Sequence, residues 1–221
     1  MSTSKKRATI VALAMGMGVG VGFPAVAQTT QWTGWSAQAG LGYQSIKHQF
    51  DQVVSEGADM AVTASTAGSL VGKVGLDYTW ALNASYVLAA GVDLGLNDGK
   101  ASDFSAVNQT TNAAESGQIK FRQGVGVSLA PGVLVDKDTL AYFKLGYLST
   151  TVKWEDGNSK ETGKGLTYGL GAKFLQGNDY FLYTELNYLA GKKKSMTADV
   201  ATTGNIQSTG YVMSVGVGKR F

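Results

Sequence analysis

The chain has 221 residues and no cysteine, so disulfides and thiolate-ligated metal sites are excluded. It carries 19 basic and 16 acidic residues, but three of the basic ones, Lys5, Lys6 and Arg7, lie in a leader segment. The remaining chain has 16 basic and 16 acidic residues. Such a balance offers no basic domain of the kind that binds nucleic acid.

The amino terminus has the three parts of a secretory signal. The basic start is followed by an uncharged run over residues 8–23, by Pro24, and by the small-residue motif Ala25-Val26-Ala27 before Gln28. The run is too short and too rich in glycine to be a good membrane-spanning helix. We therefore predict a signal peptide at residues 1–27 and an exported domain at residues 28–221.

The exported part shows strand periodicity in place of long apolar runs. Tyr211, Met213, Val215, Val217 and Phe221 alternate with small or polar residues up to the carboxyl terminus, which is typical of a closing barrel strand. Similar segments are centred in residues 35–44, 70–80, 86–95, 119–129, 141–148, 166–174 and 182–188. The sequence predicts an all-β fold, an eight-stranded antiparallel up-and-down transmembrane β-barrel.

The connections alternate between short and long. Short ones are predicted at residues 81–84, 131–139 and 175–179, and long polar ones at about 46–66, 98–117, 155–165 and 191–208. In outer-membrane barrels the short turns lie on the periplasmic side. We therefore expect both termini in the periplasm, four loops outside the cell, and aromatic residues at both ends of the outward face.

The inward face is predicted to combine many glycines with a few charges. The charged side chains expected in the lumen are Lys73, Asp77, Asp93, Lys120, Arg122, Lys144, Lys173, Glu185 and Arg220. Six are basic and three acidic, and buried charges must be paired or hydrated. Two interpretations stay open: a plug of ion pairs that closes the lumen, and a narrow pore that prefers anions.

Catalytic, cofactor and metal sites are not predicted. His48 is the single histidine, and no Gly-x-Ser-x-Gly or His-Glu-x-x-His motif is present. A serine nucleophile needs a histidine base that a carboxylate usually orients, and the nearby Ser45, Asp51 and Ser55 are typical of any polar loop. We therefore expect a protein that is not an enzyme and that needs no cofactor.

A basic triplet follows the outer aromatic position of the seventh strand. Lys192, Lys193 and Lys194 begin four residues after Tyr188. Lipopolysaccharide phosphates lie just outside the outer aromatic belt, and a lysine near such a surface gains about 1 kcal/mol. We predict lipopolysaccharide contacts for these lysines, with a solvated basic stretch as the alternative.

The leader, the eight alternating segments and the ending Val215-Gly-Val-Gly-Lys-Arg-Phe221 together resemble the small outer-membrane β-barrel superfamily, which includes OmpX-like, OmpA-barrel-like and opacity-type "porin family" proteins. The resemblance implies location in the Gram-negative outer membrane. It also implies that the barrel-assembly machinery reads Tyr211, Val215, Val217 and Phe221.

The function expected from the sequence is structural or adhesive. We predict a monomeric, non-enzymatic barrel that contacts outer-membrane lipids and presents its loops for envelope integrity, surface interaction or adhesion, with an extracellular ligand or host surface as partner. A narrow channel for small solutes is the alternative. A lipid A-modifying enzyme that uses His48 is the third candidate.

Overall fold

The computed structural model describes residues 29–55, 57–99, 102–154, 160–197 and 202–221. The predicted signal peptide lies outside these residues. The elements are a 3-10 helix, η1 (Thr30–Trp32), and the strands β1 (Gly34–Ser55), β2 (Ala58–Ala64), β3 (Thr66–Ala81), β4 (Tyr86–Gly95), β5 (Ser102–Asn108), β6 (Ala114–Leu134), β7 (Thr139–Trp154), β8 (Lys160–Gln176), β9 (Tyr180–Gly191), β10 (Lys194–Thr197) and β11 (Thr202–Arg220).

Eight of these strands form a closed antiparallel ring, in the order β1, β3, β4, β6, β7, β8, β9 and β11. The last strand closes the ring by pairing with the first. This pairing runs from Ser36 opposite Arg220 to Ser55 opposite Thr202. The Phe221 N–H donates to the Trp35 carbonyl at 2.9 Å. Gly34 has a φ of +118°, and a β-carbon there would lie 3.0 Å from the Phe221 carbonyl oxygen. The predicted fold class is confirmed.

The two faces of the wall have the polarity that the alternation predicts. On β1, Leu41 is 68% exposed, whereas the neighbouring inward side chains of Gln38 and Gln44 are buried. On β11, Met213, Val215 and Val217 are all more than half exposed. An apolar face of this size needs a non-aqueous environment. Among the described residues, no helix has the length and hydropathy to cross a membrane.

Aromatic side chains lie near both ends of the outward face. At the end that carries the termini and the short turns, here called the proximal end, Trp35 and Tyr78 pack edge to face with centroids 5.2 Å apart. Towards the opposite, distal end, Tyr168, Tyr188 and Tyr211 lie in register on three adjacent strands. Their ring centroids are 5.9 Å and 4.9 Å apart.

The distal connections are the main departure from the prediction. All four segments expected to be polar loops contain strand residues that extend the wall. β1 continues to Ser55 and β2 pairs with β5, β5 pairs with β6, β8 begins at Lys160 and pairs there with β7, and β10 pairs with β11. β2 keeps the register that β3 has with β1, from Lys47 opposite Thr66 to Val53 opposite Met60. Residues 48–52 and 61–65, which lie between, are not paired with each other. The loop prediction was wrong because polar outward residues hide the strand alternation beyond the distal tyrosine row.

Strand β6 holds two further corrections. A bulge between Gln123 and Gly126 shifts its register with β7 by one residue. A shift of one residue exchanges the two faces, so the alternation distal to the bulge is opposite to that predicted. Pro131, predicted in a turn, lies inside β6 opposite Leu88. It falls in a gap of the β6–β7 ladder, between Leu129 and Gly132, where its missing N–H breaks no pair.

Candidate functional site

The lumen is filled by layers of different chemistry, and β9 passes through all of them. Its inward side chains are, from the proximal to the distal end, Phe181, Tyr183, Glu185, Asn187 and Leu189. The two aromatic residues belong to one apolar cluster and the leucine to another. The carboxylate and the amide lie between these clusters. The lumen therefore has a proximal apolar layer, an ionic layer, an amide layer and a distal apolar layer.

The proximal layer is an aromatic floor. Trp32 of η1 is 3% exposed and packs against Phe181 with ring centroids 6.5 Å apart. Glycines on the neighbouring strands make room for the rings: a β-carbon on Gly218 would overlap Phe181, and one on Gly216 would overlap Tyr183. The residues of this cluster are Trp32, Val87, Leu134, Leu140, Tyr142, Leu175, Phe181 and Tyr183.

Glu185 is the centre of the ionic layer. Its carboxylate accepts hydrogen bonds from Lys73 Nζ, from Tyr142 Oη at 2.8 Å and from Lys144 Nζ at 3.3 Å. Lys144 Nζ also donates to Asp93 Oδ2 at 2.6 Å. The four charged side chains come from β3, β4, β7 and β9. This network therefore ties the walls of the ring together across the lumen.

A second ion pair adjoins this network on its proximal side. Lys173 Nζ donates to Asp77 Oδ2 at 3.0 Å, and Ser36 Oγ donates to the same oxygen at 2.7 Å. The ammonium also lies 4.8 Å from the centroid of the Phe181 ring, a cation–π contact with the floor. Both charges of the pair are buried, and both have partners.

The ionic layer has no excess charge. Three lysines, Lys73, Lys144 and Lys173, face three carboxylates, Asp77, Asp93 and Glu185. Two small cavities beside them, of about 30 Å³ and 60 Å³, have room for a few water molecules. Because the charges pair with each other, the positive excess that would favour anions is missing from this layer.

The distal half of the lumen contains amide side chains and, beyond them, a second apolar cluster. Gln123 Nε2 donates to Gln44 Oε1 at 3.3 Å, and Gln44 Nε2 donates to Ser69 Oγ at 3.2 Å. The apolar cluster lies on the distal side of these amides. Phe50 and Phe104 pack against it, and the centroids of their two rings are 6.4 Å apart. The buried members of that cluster are Ile46, Val53, Phe121, Leu148, Val152, Leu189 and Ile206.

His48 lies in this distal layer, three positions beyond the Tyr211 row. It is 2% exposed, its ring centroid lies 6.0 Å from that of Phe121, and its Nδ1 is 2.8 Å from Ser208 Oγ. Burial lowers its pKa from 6.5 to about 4. Its Nε2 is buried and has no partner among the described residues. The pair resembles a nucleophile and its base, but among the described residues no carboxylate orients the ring.

Three of the nine predicted lumen charges need correction. Because of the β6 bulge, Phe121 and Gln123 face inward, and Lys120 and Arg122 lie on the opposite face. The Arg122 side chain is 41% exposed and lies 3.9 Å from Asp98. Arg220 lies at the proximal rim, where its guanidinium donates to the Asn178 carbonyl. The structure places the other six, Lys73, Asp77, Asp93, Lys144, Lys173 and Glu185, in the lumen.

The three lysines of the basic triplet have different surroundings. Lys192 is exposed and lies 5.7 Å from the Tyr147 ring centroid. Lys193 forms an ion pair with Asp51 at 2.7 Å. Lys194 Nζ donates to the Thr162 carbonyl at 2.9 Å. The contacts of the three lysines therefore differ, and lipopolysaccharide binding by them stays a prediction.

The four residues predicted as an assembly signal share the outward face of β11 and its end. Tyr211, Val215, Val217 and Phe221 are 58%, 55%, 57% and 73% exposed. Their side chains are free to contact a partner or lipid. Recognition by the assembly machinery stays a prediction.

The sequence reasoning missed the aromatic floor. Trp32 precedes the first strand, and Phe181 and Tyr183 lie in a strand where both faces carry large residues, so alternation of hydropathy gave no signal. The clue was the excess of inward glycines on β1 and β11, which needs large partners on the facing wall.

Comparisons with known proteins agree with this architecture. Residues 10–221 match the family described as "Outer membrane protein beta-barrel domain". The crystal structure of OprG from Pseudomonas aeruginosa is similar, with a TM-score of 0.53, 12% identity, and coverage of 86% of this chain and 96% of that one. Neisserial surface protein A has a TM-score of 0.53, 16% identity, and coverage of 86% and 98%. At these identities the likeness shows the fold alone. No curated protein sequence matches.

Proposed function

The chain belongs to the outer membrane protein β-barrel domain family, and from that premise we propose a barrel with a closed lumen that works through its cell-surface end. In this proposal the protein is not an enzyme and not a channel. Its distal hairpins serve surface interaction, adhesion or envelope integrity. The observation that carries the proposal is the layered filling of the lumen, from the Trp32 floor to the Ile46 cluster.

Each layer opposes the passage of solutes by a different means. The apolar layers oppose the passage of water and ions because their side chains are packed and offer few hydrogen-bond partners. In the ionic layer the charges satisfy one another, and breaking a buried pair costs about 3–5 kcal/mol. The neighbouring cavities, of about 30 Å³ and 60 Å³, are far smaller than a sugar or an amino acid.

The orientation follows from the shape of the barrel. Short turns and both termini are at the proximal end, which we assign to the periplasm, and the long hairpins are at the distal end, which we assign to the cell surface. The hairpins lift polar residues away from the Tyr211 row. They give the protein a structured outer surface for a ligand or a host cell.

The His48–Ser208 pair does not support an enzyme. Asp51, the nearest acidic residue in sequence, pairs with Lys193 on the outer face and cannot orient the imidazole. The pair is better explained as a buried polar contact within the distal apolar layer. Mass analysis of lipid A from cells with and without the protein tests this point. An altered acyl pattern would restore the enzyme hypothesis.

Solute flux tests the closed lumen. In a liposome-swelling assay, vesicles with the purified barrel should swell in isotonic arabinose or glycine no faster than empty vesicles. A variant with Trp32→Ala, Phe181→Ala, Glu185→Ala and Leu189→Ala removes side chains from both apolar layers and from the ionic layer between them, and serves as the control for sensitivity. Swelling by the unaltered protein that depends on solute size would contradict the proposal.

A surface role calls for a cellular test. Cells lacking the protein should be complemented by the unaltered barrel, and less well by a variant whose β5–β6 hairpin is shortened across residues 105–114. The readouts are attachment to host cells and resistance to detergent. Equal complementation by both forms would show that this hairpin is not the working surface.

A further inference from the structure

Two exposed lysines are neighbours on adjacent strands near the distal end of the wall. Lys164 on β8 lies opposite Ser149 of β7. Its carbonyl accepts a hydrogen bond from the Lys192 N–H at 2.9 Å, just after β9 ends. Both side chains are exposed and continue the outward rows of Leu166 and Ala190. The sequence separates these lysines by 28 positions, so only strand pairing brings them together.

The position of the pair relative to the aromatic belt is fixed by the strand register. Lys164 lies four residues beyond Tyr168, and Lys192 lies four beyond Tyr188. Four residues span about 13 Å along a strand. With strands tilted by about 40°, the height above the belt is about 10 Å. Long lysine side chains reach back towards the interface, so their ammonium groups meet the layer just outside the belt.

The two charges lack acidic partners among the described residues. Lys192 contacts the Tyr147 ring at 5.7 Å from its centroid, which holds the ammonium above the wall without neutralising it. Like charges directly opposite each other on paired strands are destabilising. An anion that contacts both ammonium groups would remove this repulsion.

Other distal cations are placed differently. Lys153 pairs with Asp98 at 2.6 Å, and Lys193 pairs with Asp51 at 2.7 Å. Lys47 is exposed but stands alone on its row, between Thr66 and Thr209 on the neighbouring strands. The Lys164–Lys192 pair is thus distinguished by two adjacent charges that have no counter-ion among the described residues, and by the tyrosine beneath them.

We propose that Lys164 and Lys192 together bind a phosphate group of the lipid A part of lipopolysaccharide. Two ammonium groups supply charge-assisted hydrogen bonds to one phosphate, and the Tyr147 and Tyr168 rings below offer an apolar surface to the sugar and the first acyl carbons. The proposal uses the orientation proposed above, with the distal end facing outward. It does not depend on whether the lumen is closed.

A titration of the barrel with lipid A tests the site. Bisphosphorylated lipid A in mixed micelles is added to the unaltered protein, to the Lys164→Gln, Lys192→Gln double variant and to a Lys47→Gln control, and binding is followed by intrinsic fluorescence. The double variant should lose at least about tenfold in apparent affinity, because two charge-assisted contacts are removed. The control should bind like the unaltered protein, as should a Lys164→Arg, Lys192→Arg variant.

Two further arms identify the ligand. Dephosphorylated lipid A should bind the unaltered protein as weakly as bisphosphorylated lipid A binds the double variant. Inorganic phosphate at the same concentration should not compete; competition would assign the site to a soluble anion and overturn the proposal. Equal affinity of the double variant and the unaltered protein would also overturn it. Swelling of barrel vesicles would contradict the closed lumen and leave this site unaffected, so the two proposals fail separately.

Discussion

Phe181 on β9 lies directly opposite Gly218 on β11, and its ring fills the space that a β-carbon on the glycine would need. The glycine on the carboxy-terminal strand thus leaves the room that the aromatic floor needs. This explains why the last strand alternates large outward residues with glycine. Closure of the ring and filling of the lumen depend on the same stretch of sequence.

The first prediction concerns this contact. Gly218→Ala should overpack the floor and lower the free energy of unfolding by about 1–3 kcal/mol. The smaller Phe181→Leu side chain should restore part of that loss when the two changes are combined, because the effects are coupled through one contact. Urea unfolding of barrels in detergent micelles measures both. Strictly additive losses would show that the ring and the glycine do not share this space.

The second prediction concerns the ionic layer. Glu185→Gln should lower the free energy of unfolding by about 3–5 kcal/mol, since Lys73 and Lys144 then keep buried charges with fewer partners. Asp98→Asn removes an acid that pairs with Lys153 on the partly exposed distal rim, and should cost no more than about 1 kcal/mol. The same urea titration compares them. Equal losses would mean that the lumen is more hydrated than its packing indicates.

The third prediction concerns pH and His48. Its pKa is about 4 in the folded protein against 6.5 in the unfolded chain. Below pH 6.5 the imidazole of His48 therefore binds a proton in the unfolded chain, whereas in the folded protein it stays neutral down to about pH 4. The contribution of His48 to the free energy of unfolding should be complete above pH 6.5. It should fall by about 3 kcal/mol as the pH drops from 6.5 to about 4.

His48→Phe isolates this contribution, because a phenyl ring keeps the apolar contact with Phe121 and cannot titrate. The variant should lose less stability than the unaltered protein between pH 7 and pH 4.5. Unfolding midpoints in urea at the two pH values give the comparison. Identical pH dependence in the two proteins would show that His48 is not the group that titrates.

The fourth prediction uses the absence of cysteine from the chain. Single cysteines at Arg122 and at Lys144 should differ in reaction with a bulky, membrane-impermeant maleimide on intact cells. Arg122→Cys should react, because it lies outward above the bulge, and Lys144→Cys should not, because it lies in the ionic layer. Protection of Arg122→Cys would place this stretch of β6 on the face that simple alternation predicts.

The sequence was a good guide wherever one face of a strand is apolar and the other is not. On β11, alternation from Tyr211 to Phe221 correctly assigned the two faces. It failed on β6, because a bulge exchanges the two faces and turns Phe121 inward, and no residue type in the sequence indicates that bulge. It failed again above the aromatic belt, where β1 continues past Tyr43 with polar outward residues. The ion pairs of Glu185 required the register of β3, β7 and β9, which no single strand encodes.

The central claim, a lumen closed by packed layers, is tested most directly by single-channel conductance in planar bilayers. The purified barrel in 1 M KCl should insert without producing steady current steps, whereas the variant lacking the Trp32, Phe181, Glu185 and Leu189 side chains should conduct. Reproducible steps from the unaltered protein, of one size and with linear dependence on voltage, would show an open pore and contradict the account.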